Sequence, residues 1–284
     1  MSLTNTSTAV NNVHTLKTSN SFETALKSLS SLSGKSVRTH SFPHILASPT
    51  HYEPNYAYPL LVWLHGTGKS EVELFDVVPK ISTQNYVAVA PRGALSKTTR
   101  VVRRHINGSL IDEKIWTENI TDWAETERCI SESENLVFQS IEEATRKLNI
   151  NPRRIFLLGR GTGATMALQI GLRNADEFAG IVAIDGSFPS EETVLFRNWR
   201  SIRDLPILMT TPSVSTNSYQ HLSSNQLRLM HTAGMTVSVR QYNEYNEANS
   251  EQNRMDRILA DCNRWIMSRS SNPRSPISNL ASAR

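Results

Sequence analysis

The sequence predicts an α/β fold in which helices cover both faces of a mostly parallel sheet. Continuous apolar runs at 59–64, 86–90 and 179–184 are typical of strands that are buried on both faces. Between such runs lie segments with apolar residues at helical spacing, of which the longest covers 123–148. Strands that alternate with helices along a chain usually pair in parallel, because each helix carries the chain back across the sheet.

The predicted elements follow one another along the chain with short connections. An antiparallel strand at one edge of the sheet is expected within 36–46. Further strands are predicted at 59–64, 86–90, 155–158, 179–184, 205–209 and 236–242. Helices are predicted at 71–83, 123–148, 165–172, 219–232 and 251–267.

The composition predicts one folded domain with polar segments at both ends. Residues 1–35 are rich in Ser, Thr and Asn and are expected to form a mobile arm. Residues 36–267 contain the α/β pattern, and residues 268–284 are expected to be a disordered tail. The apolar share of 38% and the 5 tryptophans indicate a packed core.

Charge, cysteine content and hydropathy exclude several classes of protein. A net charge of +4 is too small to indicate a nucleic-acid partner. The 2 cysteines, Cys129 and Cys262, fall in predicted helices, so a disulfide framework is not expected. The sequence has no secretory signal and no apolar run of the ~20 residues that a membrane helix needs. These features predict a cytoplasmic protein without a membrane span.

Two glycine-rich turns follow predicted strands, and neither is a nucleotide motif. The HG loop, 64–68, precedes Lys69 and Ser70, but a phosphate loop would need a glycine where Trp63 stands. The elbow, 159–163, lacks the G-x-G-x-x-G spacing of dinucleotide-binding turns. No cofactor and no metal are therefore expected.

The ordered set of motifs resembles the phospholipase/carboxylesterase (acyl-protein thioesterase-like) family of the α/β-hydrolase fold. The resemblance covers most of 55–267. Beyond the HG loop and the elbow, it includes Val89-Ala-Pro-Arg-Gly93, Asn151-Pro-Arg-Arg-Ile-Phe-Leu157, Phe178-Ala-Gly-Ile-Val182 and Leu205-Pro-Ile-Leu208. The resemblance implies an α/β-hydrolase fold and an ancestry among carboxylic-ester hydrolases.

All three catalytic positions that the resemblance implies are vacant in this chain. The family elbow reads G-x-S-x-G, whereas here Gly161 stands at the position of the serine nucleophile. The resemblance places the catalytic acid at Ser215 and the general base at Asn246, and neither side chain can perform that role. The last histidine of the chain is His231, so no register shift nearby restores the base. The chain is therefore predicted to be a pseudoenzyme with a degenerate triad.

The backbone around the vacant nucleophile still predicts a binding site. The family forms its oxyanion hole from N–H groups that correspond to Thr67 and Thr162, and these could hold a carboxylate or an acyl group. The Thr162 side chain is expected to point into the following helix. His65 is expected to support the HG loop rather than to take part in chemistry.

A basic cluster lies in the long insertion between Pro91 and Trp116. It contains Arg100, Arg103 and Arg104. A solvated loop explains such a cluster, and contact with an anionic ligand or partner is the alternative.

Three functions remain open at this point. The first is a pseudoenzyme that binds a small acyl or carboxylate ligand or a protein partner. The second is an active serine-type ester or thioester hydrolase with relocated catalytic groups. The third is a scaffold or an oligomer subunit.

Overall fold

A seven-stranded sheet with helices on both faces forms the centre of the molecule. The computed structural model describes residues 43–93, 95–101, 116–189, 199–212, 224–242 and 250–270. The strands are β1 (His44–Ala47), β2 (Tyr58–Leu64), β3 (Val87–Pro91), β4 (Leu95–Val101), β5 (Trp116–Asp122), β6 (Ile150–Arg160), β7 (Gly180–Ile184), β8 (Ile207–Pro212) and β9 (Val237–Tyr242). The helices are α1 (Leu74–Ile81), α2 (Glu127–Lys147), α3 (Thr162–Arg173), α4 (Trp199–Asp204), α5 (Ser224–Thr232) and α6 (Ser250–Ser270), and a short 3₁₀ helix (Glu71–Glu73) precedes α1.

The order of the strands is β1-β3-β2-β6-β7-β8-β9, and the fold class that the sequence predicts is confirmed. Strand β1 runs antiparallel to β3 at the edge of the sheet, as expected, and the other pairings are parallel. Because parallel strands all end at the same edge, the turns after β2, β6 and β7 meet at the carboxyl edge of the sheet.

The core consists of two apolar layers, one on each face of the sheet. Strand β2 is buried along its whole length, and its alternate residues contribute to the two layers. Leu60 and Val62 pack on the face covered by α2 and α3. Leu61 and Trp63 pack on the other face, which α1 and α6 cover. This burial on both faces explains why the sequence of β2 is a continuous apolar run.

The ends of α2 follow from local sequence signals. The hydroxyl of Thr126 accepts the N–H of Cys129 at 3.4 Å and caps the first turn. The helix ends at Lys147, shortly before Pro152, which cannot donate a backbone hydrogen bond. Cys129 and the buried Cys262 are both free thiols.

The structure differs from the sequence-based expectations in three places. The insertion after β3, which was expected to be a loop, contains the antiparallel pair β4–β5. Helix α4 was not predicted, because six residues are too few to establish a helical period. Helix α6 continues to Ser270, three residues past the predicted end of the last helix at 267.

Candidate functional site at the elbow

The elbow is a tight turn between β6 and α3 at the carboxyl edge of the sheet. Gly161 occupies its apex with φ 55° and ψ −121°, a conformation that side-chain-bearing residues rarely adopt. Its N–H donates to the carbonyl of Ile184 at 2.8 Å, and its carbonyl accepts the N–H of Ala164 at 3.0 Å. These bonds fix the apex against β7 and the first turn of α3.

The three glycines of the elbow serve different purposes. A Cβ on Gly159 would lie 2.3 Å from the carbonyl oxygen of Gly163, and a Cβ on Gly163 would lie 2.3 Å from that of Leu64. Both glycines therefore permit close contact between backbones. A Cβ on Gly161 would meet no atom nearer than Thr67 Oγ1, at 3.8 Å. The space that a nucleophile side chain would occupy at Gly161 is therefore open and is not filled by a neighbouring residue.

His65 holds the HG loop in place, as expected from the sequence. Gly93 N–H donates to His65 Nε2 at 2.9 Å, so the proton of the neutral ring is on Nδ1, which donates to the carbonyl of Gly66 at 3.0 Å. Trp123 Nε1 donates to the carbonyl of His65 at 3.0 Å. The ring is fully buried and has its nitrogens engaged with backbone, so it supports the loop rather than facing the empty nucleophile position.

The burial of His65 makes the stability of the protein depend on pH. Desolvation lowers the pKa of His65 below its usual 6.5, and the hydrogen bond to Gly66 and nearby carboxylates oppose that effect only in part. The unfolded chain therefore binds a proton on His65 below about pH 6.5, where the folded protein still does not. The resulting stability is complete above pH 6.5 and is lost as the pH falls below it.

The replacement His65→Gln is expected to remove this contribution to the pH dependence. Glutamine retains an acceptor for the Gly93 N–H but does not titrate. Between pH 6.5 and 5.5, the free energy of unfolding should fall less steeply in the variant, by up to about 1.4 kcal/mol per pH unit. Urea unfolding at pH 7.5, 6.5 and 5.5 measures the two slopes. If the free energy of unfolding fell equally steeply with pH in the variant and in the unchanged protein, His65 would have the same pKa in the folded and unfolded states.

A chain of polar side chains connects the HG loop to the elbow. The hydroxyl of Thr162 donates to Asp122 Oδ1 at 2.6 Å, and its oxygen lies 3.1 Å from Thr67 Oγ1. Because Thr162 has one hydroxyl proton, Thr67 is the donor of the second bond. Asp122 is buried and also accepts the N–H of Trp123 at 2.8 Å. The expectation that the Thr162 side chain points into α3 is therefore wrong.

The two backbone N–H groups of the expected oxyanion hole lie on facing turns. Thr162 is the first residue of α3, and an N–H group there has no acceptor within its own helix. In the described ranges, no acceptor bonds to the N–H of Thr67 or of Thr162. The structure thus brings these two predicted residues together beside Gly161.

Four other predicted site residues are not among those that the structure describes. Ser215 and Asn246, the vacant acid and base positions, lie outside the described residues, as do Arg103 and Arg104. Arg100 lies on β4. The predicted role of the basic cluster in binding an anion therefore stays a prediction.

The sequence analysis missed an ion pair beside the elbow. Asp185, directly after β7, has a positive φ of 54° and accepts two hydrogen bonds from Arg254 of α6, at 2.9 and 2.5 Å. The side chain of Arg254 is 5% exposed and that of Asp185 is 22% exposed. The pair joins the sheet to the helix that follows the vacant base position. No local signal predicts it, because the partners are 69 positions apart.

Together, the strand order, the sharp turn between β6 and α3 and the HG loop that faces it define an α/β-hydrolase fold. The family model for phospholipases and carboxylesterases matches residues 53–259. The chain therefore belongs to the phospholipase/carboxylesterase family.

Solved structures support the same fold at low sequence identity. SOBER1 from Arabidopsis thaliana is 18% identical, with a TM-score of 0.54 over 75% of this chain and 100% of its own. A Bacillus cereus carboxylesterase is 15% identical, with a TM-score of 0.55 over 86% and 99%. Acyl-protein thioesterase 2 from Zea mays is 15% identical, with a TM-score of 0.53 over 80% and 99%. A search of curated protein sequences gave no match.

Within the described ranges, none of the helices is both long enough and apolar enough to cross a bilayer.

Proposed function

We propose that this chain is a non-catalytic member of its family that binds a small carboxylate or acyl ligand at the elbow. The observation that carries the proposal is the backbone of Gly161, which has the elbow conformation without a nucleophile. Glycine has no side chain that could form an acyl-enzyme, so an ester bound here cannot be cleaved by the family's mechanism.

The surroundings of Gly161 favour an anionic or carbonyl-bearing ligand. The N–H of Thr162 lies at the start of a twelve-residue helix, α3, whose dipole favours negative charge at this end, and Thr67 lies on the HG loop that faces it. The open space at Gly161 gives a ligand oxygen room to approach these donors. The hydroxyls of the two threonines are engaged with each other and with Asp122, which leaves the backbone groups as the donors for a ligand.

The alternative of a relocated nucleophile would have to use Thr162, whose hydroxyl donates to a carboxylate. That carboxylate, on Asp122, already accepts the N–H of Trp123 and has the structural role of fixing this turn. A general base must be poised to take the proton during reaction, and a carboxylate whose Oδ1 already accepts a backbone N–H is less suited to that. We therefore favour binding over catalysis.

We expect the full-length protein to bind octanoate without hydrolysing p-nitrophenyl octanoate. Octanoate binding by titration calorimetry should weaken about tenfold or more in Thr162→Pro, since one N–H bond to a charged group is lost. Proline is compatible with the first position of a helix, and its preceding residue, Gly161, carries no Cβ to clash. The matched control, Thr162→Val, removes the hydroxyl but keeps the N–H and should bind octanoate more tightly than Thr162→Pro.

Two results would contradict this function. Equal affinities of Thr162→Pro and Thr162→Val for octanoate would show that the N–H is not a ligand donor. Stoichiometric labelling by a serine- and threonine-reactive fluorophosphonate that is lost in Thr162→Val would show a relocated nucleophile. Oligomeric state, measured by light scattering, addresses the remaining alternative of a scaffold.

A further inference from the structure

A second cavity lies at the amino edge of the sheet, opposite the elbow. It has a volume of about 500 Å³ and is bordered by Tyr58 at the start of β2, by Arg154 of β6 and by Ser270 at the end of α6. Parallel strands β2 and β3 begin here, whereas the elbow lies where the strands end. The volume falls in the range of small-molecule sites, roughly 300–1,000 Å³. The cavity is separate from the site of the proposed function.

One wall of this cavity is apolar and partly exposed to solvent. Tyr56 and Met267 line it and are 47% and 43% exposed, the large apolar side chains that stay exposed in the described part of the chain. The ring of Tyr56 packs edge-on against the buried ring of Tyr58, with 4.6 Å between centroids. This contact holds the Tyr56 ring in place, so it offers a fixed surface for a planar apolar group.

Two residues of the cavity lining carry buried polar atoms that lack partners. Ser270 is 5% exposed, and its hydroxyl forms no hydrogen bond with any described residue. Arg154 Nε is buried and likewise has no acceptor in the described ranges. Buried donors are nearly always satisfied in folded proteins, and leaving one unpaired costs free energy. Arg154 as a whole is only partly buried and lines the cavity, so its guanidinium can reach a ligand there.

The charges around the cavity favour an anionic group at Arg154. A guanidinium presents paired donors whose geometry matches that of a carboxylate. Glu53 also lines the cavity, but it is exposed, so solvent screens its repulsion of an anion. Tyr56, Met267 and Arg154 line the same cavity, which therefore suits a ligand with one planar apolar part and one carboxylate.

From these contacts, we infer that the cavity at the amino edge of the sheet is a binding site for a small aromatic carboxylate. The ring lies between Tyr56 and Met267, where the methionine sulfur also contacts aromatic groups favourably. The carboxylate accepts hydrogen bonds from the guanidinium of Arg154. Neither the elbow nor its ligand takes part.

The test uses 2-naphthoate as the probe and the full-length protein. Saturation-transfer NMR and titration calorimetry should detect binding, and Arg154→Gln should weaken it about tenfold. The matched control is Arg153→Gln, because Arg153 is an exposed neighbour that does not line the cavity. It should bind 2-naphthoate like the unchanged protein. The neutral analogue 2-naphthalenemethanol should bind more weakly and should not distinguish Arg154→Gln from Arg153→Gln.

A second variant protects the test against loss of folding. Tyr56→Ala replaces an exposed ring and should weaken 2-naphthoate binding several-fold while thermal unfolding stays close to that of the unchanged protein. Thr162→Pro, at the elbow, should leave the Arg154-dependent part of 2-naphthoate binding unchanged, while any 2-naphthoate bound at the elbow is lost separately. The inference is overturned if 2-naphthoate does not bind, if Arg154→Gln and Arg153→Gln bind it equally, or if only Thr162→Pro reduces binding.

Discussion

Gly163→Ala is expected to destabilise the protein by about 3 kcal/mol or more. The added Cβ would lie 2.3 Å from the carbonyl oxygen of Leu64 and 2.4 Å from that of His65. Both are backbone atoms, so no side-chain rotation relieves the contact, and α3 must move away from the HG loop. The better helix propensity of alanine, up to about 1 kcal/mol, offsets only part of this. Urea unfolding at neutral pH measures the loss.

Gly161→Ala is the matched control for that variant. Its Cβ would enter open space, with Thr67 Oγ1 the nearest atom at 3.8 Å, so only the strain of a positive φ remains. We expect a loss of about 1–2 kcal/mol. If Gly161→Ala proved as destabilising as Gly163→Ala, the close approach of α3 to the HG loop would not be the reason for the glycine at 163.

Asp185→Asn is expected to cost about 2–3 kcal/mol, because it leaves the buried guanidinium of Arg254 without its counter-ion. Because Asp185 is partly exposed, this destabilisation should lie at or below the lower end of the range that is typical when a fully buried ion pair is broken. Asparagine has nearly the same shape as aspartate and tolerates a positive φ, so the backbone conformation should be retained. The decrease in the free energy of unfolding would therefore result from removing the charge of Asp185 and not from a change in the turn. Urea unfolding measures the free-energy difference.

Two further variants isolate the buried ion pair. Glu132→Gln breaks the exposed pair with Arg128, which solvent screens, so the urea midpoint should stay close to that of the unchanged protein. The double replacement Asp185→Asn with Arg254→Met should recover part of the loss, since no unpaired charge remains buried. A double variant less stable than Asp185→Asn alone would indicate that Arg254 stabilises α6 by packing rather than by pairing.

Most of the architecture follows from local patterns in the sequence. Burial on both faces of the sheet makes β2 and β7 continuous apolar runs, and the amphipathic faces of α2 and α6 repeat at helical spacing. The hairpin β4–β5 has no such signature. Its two strands pair only with each other, outside the main sheet. They are therefore not buried on both faces, and their sequences contain no continuous apolar run.

For the candidate site, too, some features could be predicted from the sequence and others could not. The glycine at 161 and the absence of any histidine after His231 are facts of the sequence, and they carry the prediction of lost catalysis. The role of His65 was predicted from the family's HG loop and is confirmed by its bonds to Gly66 and Gly93. Asp122 was missed, because a single aspartate after a long insertion has no periodic or spacing signal.

The sequence alone determined the fold class, the family resemblance and the vacant nucleophile position, because each is encoded in a short segment whose chemistry can be read locally. Tertiary structure decided that the hydroxyl of Thr162 turns toward Asp122 and that Arg254 reaches Asp185. It also decided that the space at Gly161 stays open. These features depend on which distant segments pack against one another, and that is fixed only when the whole sheet has assembled.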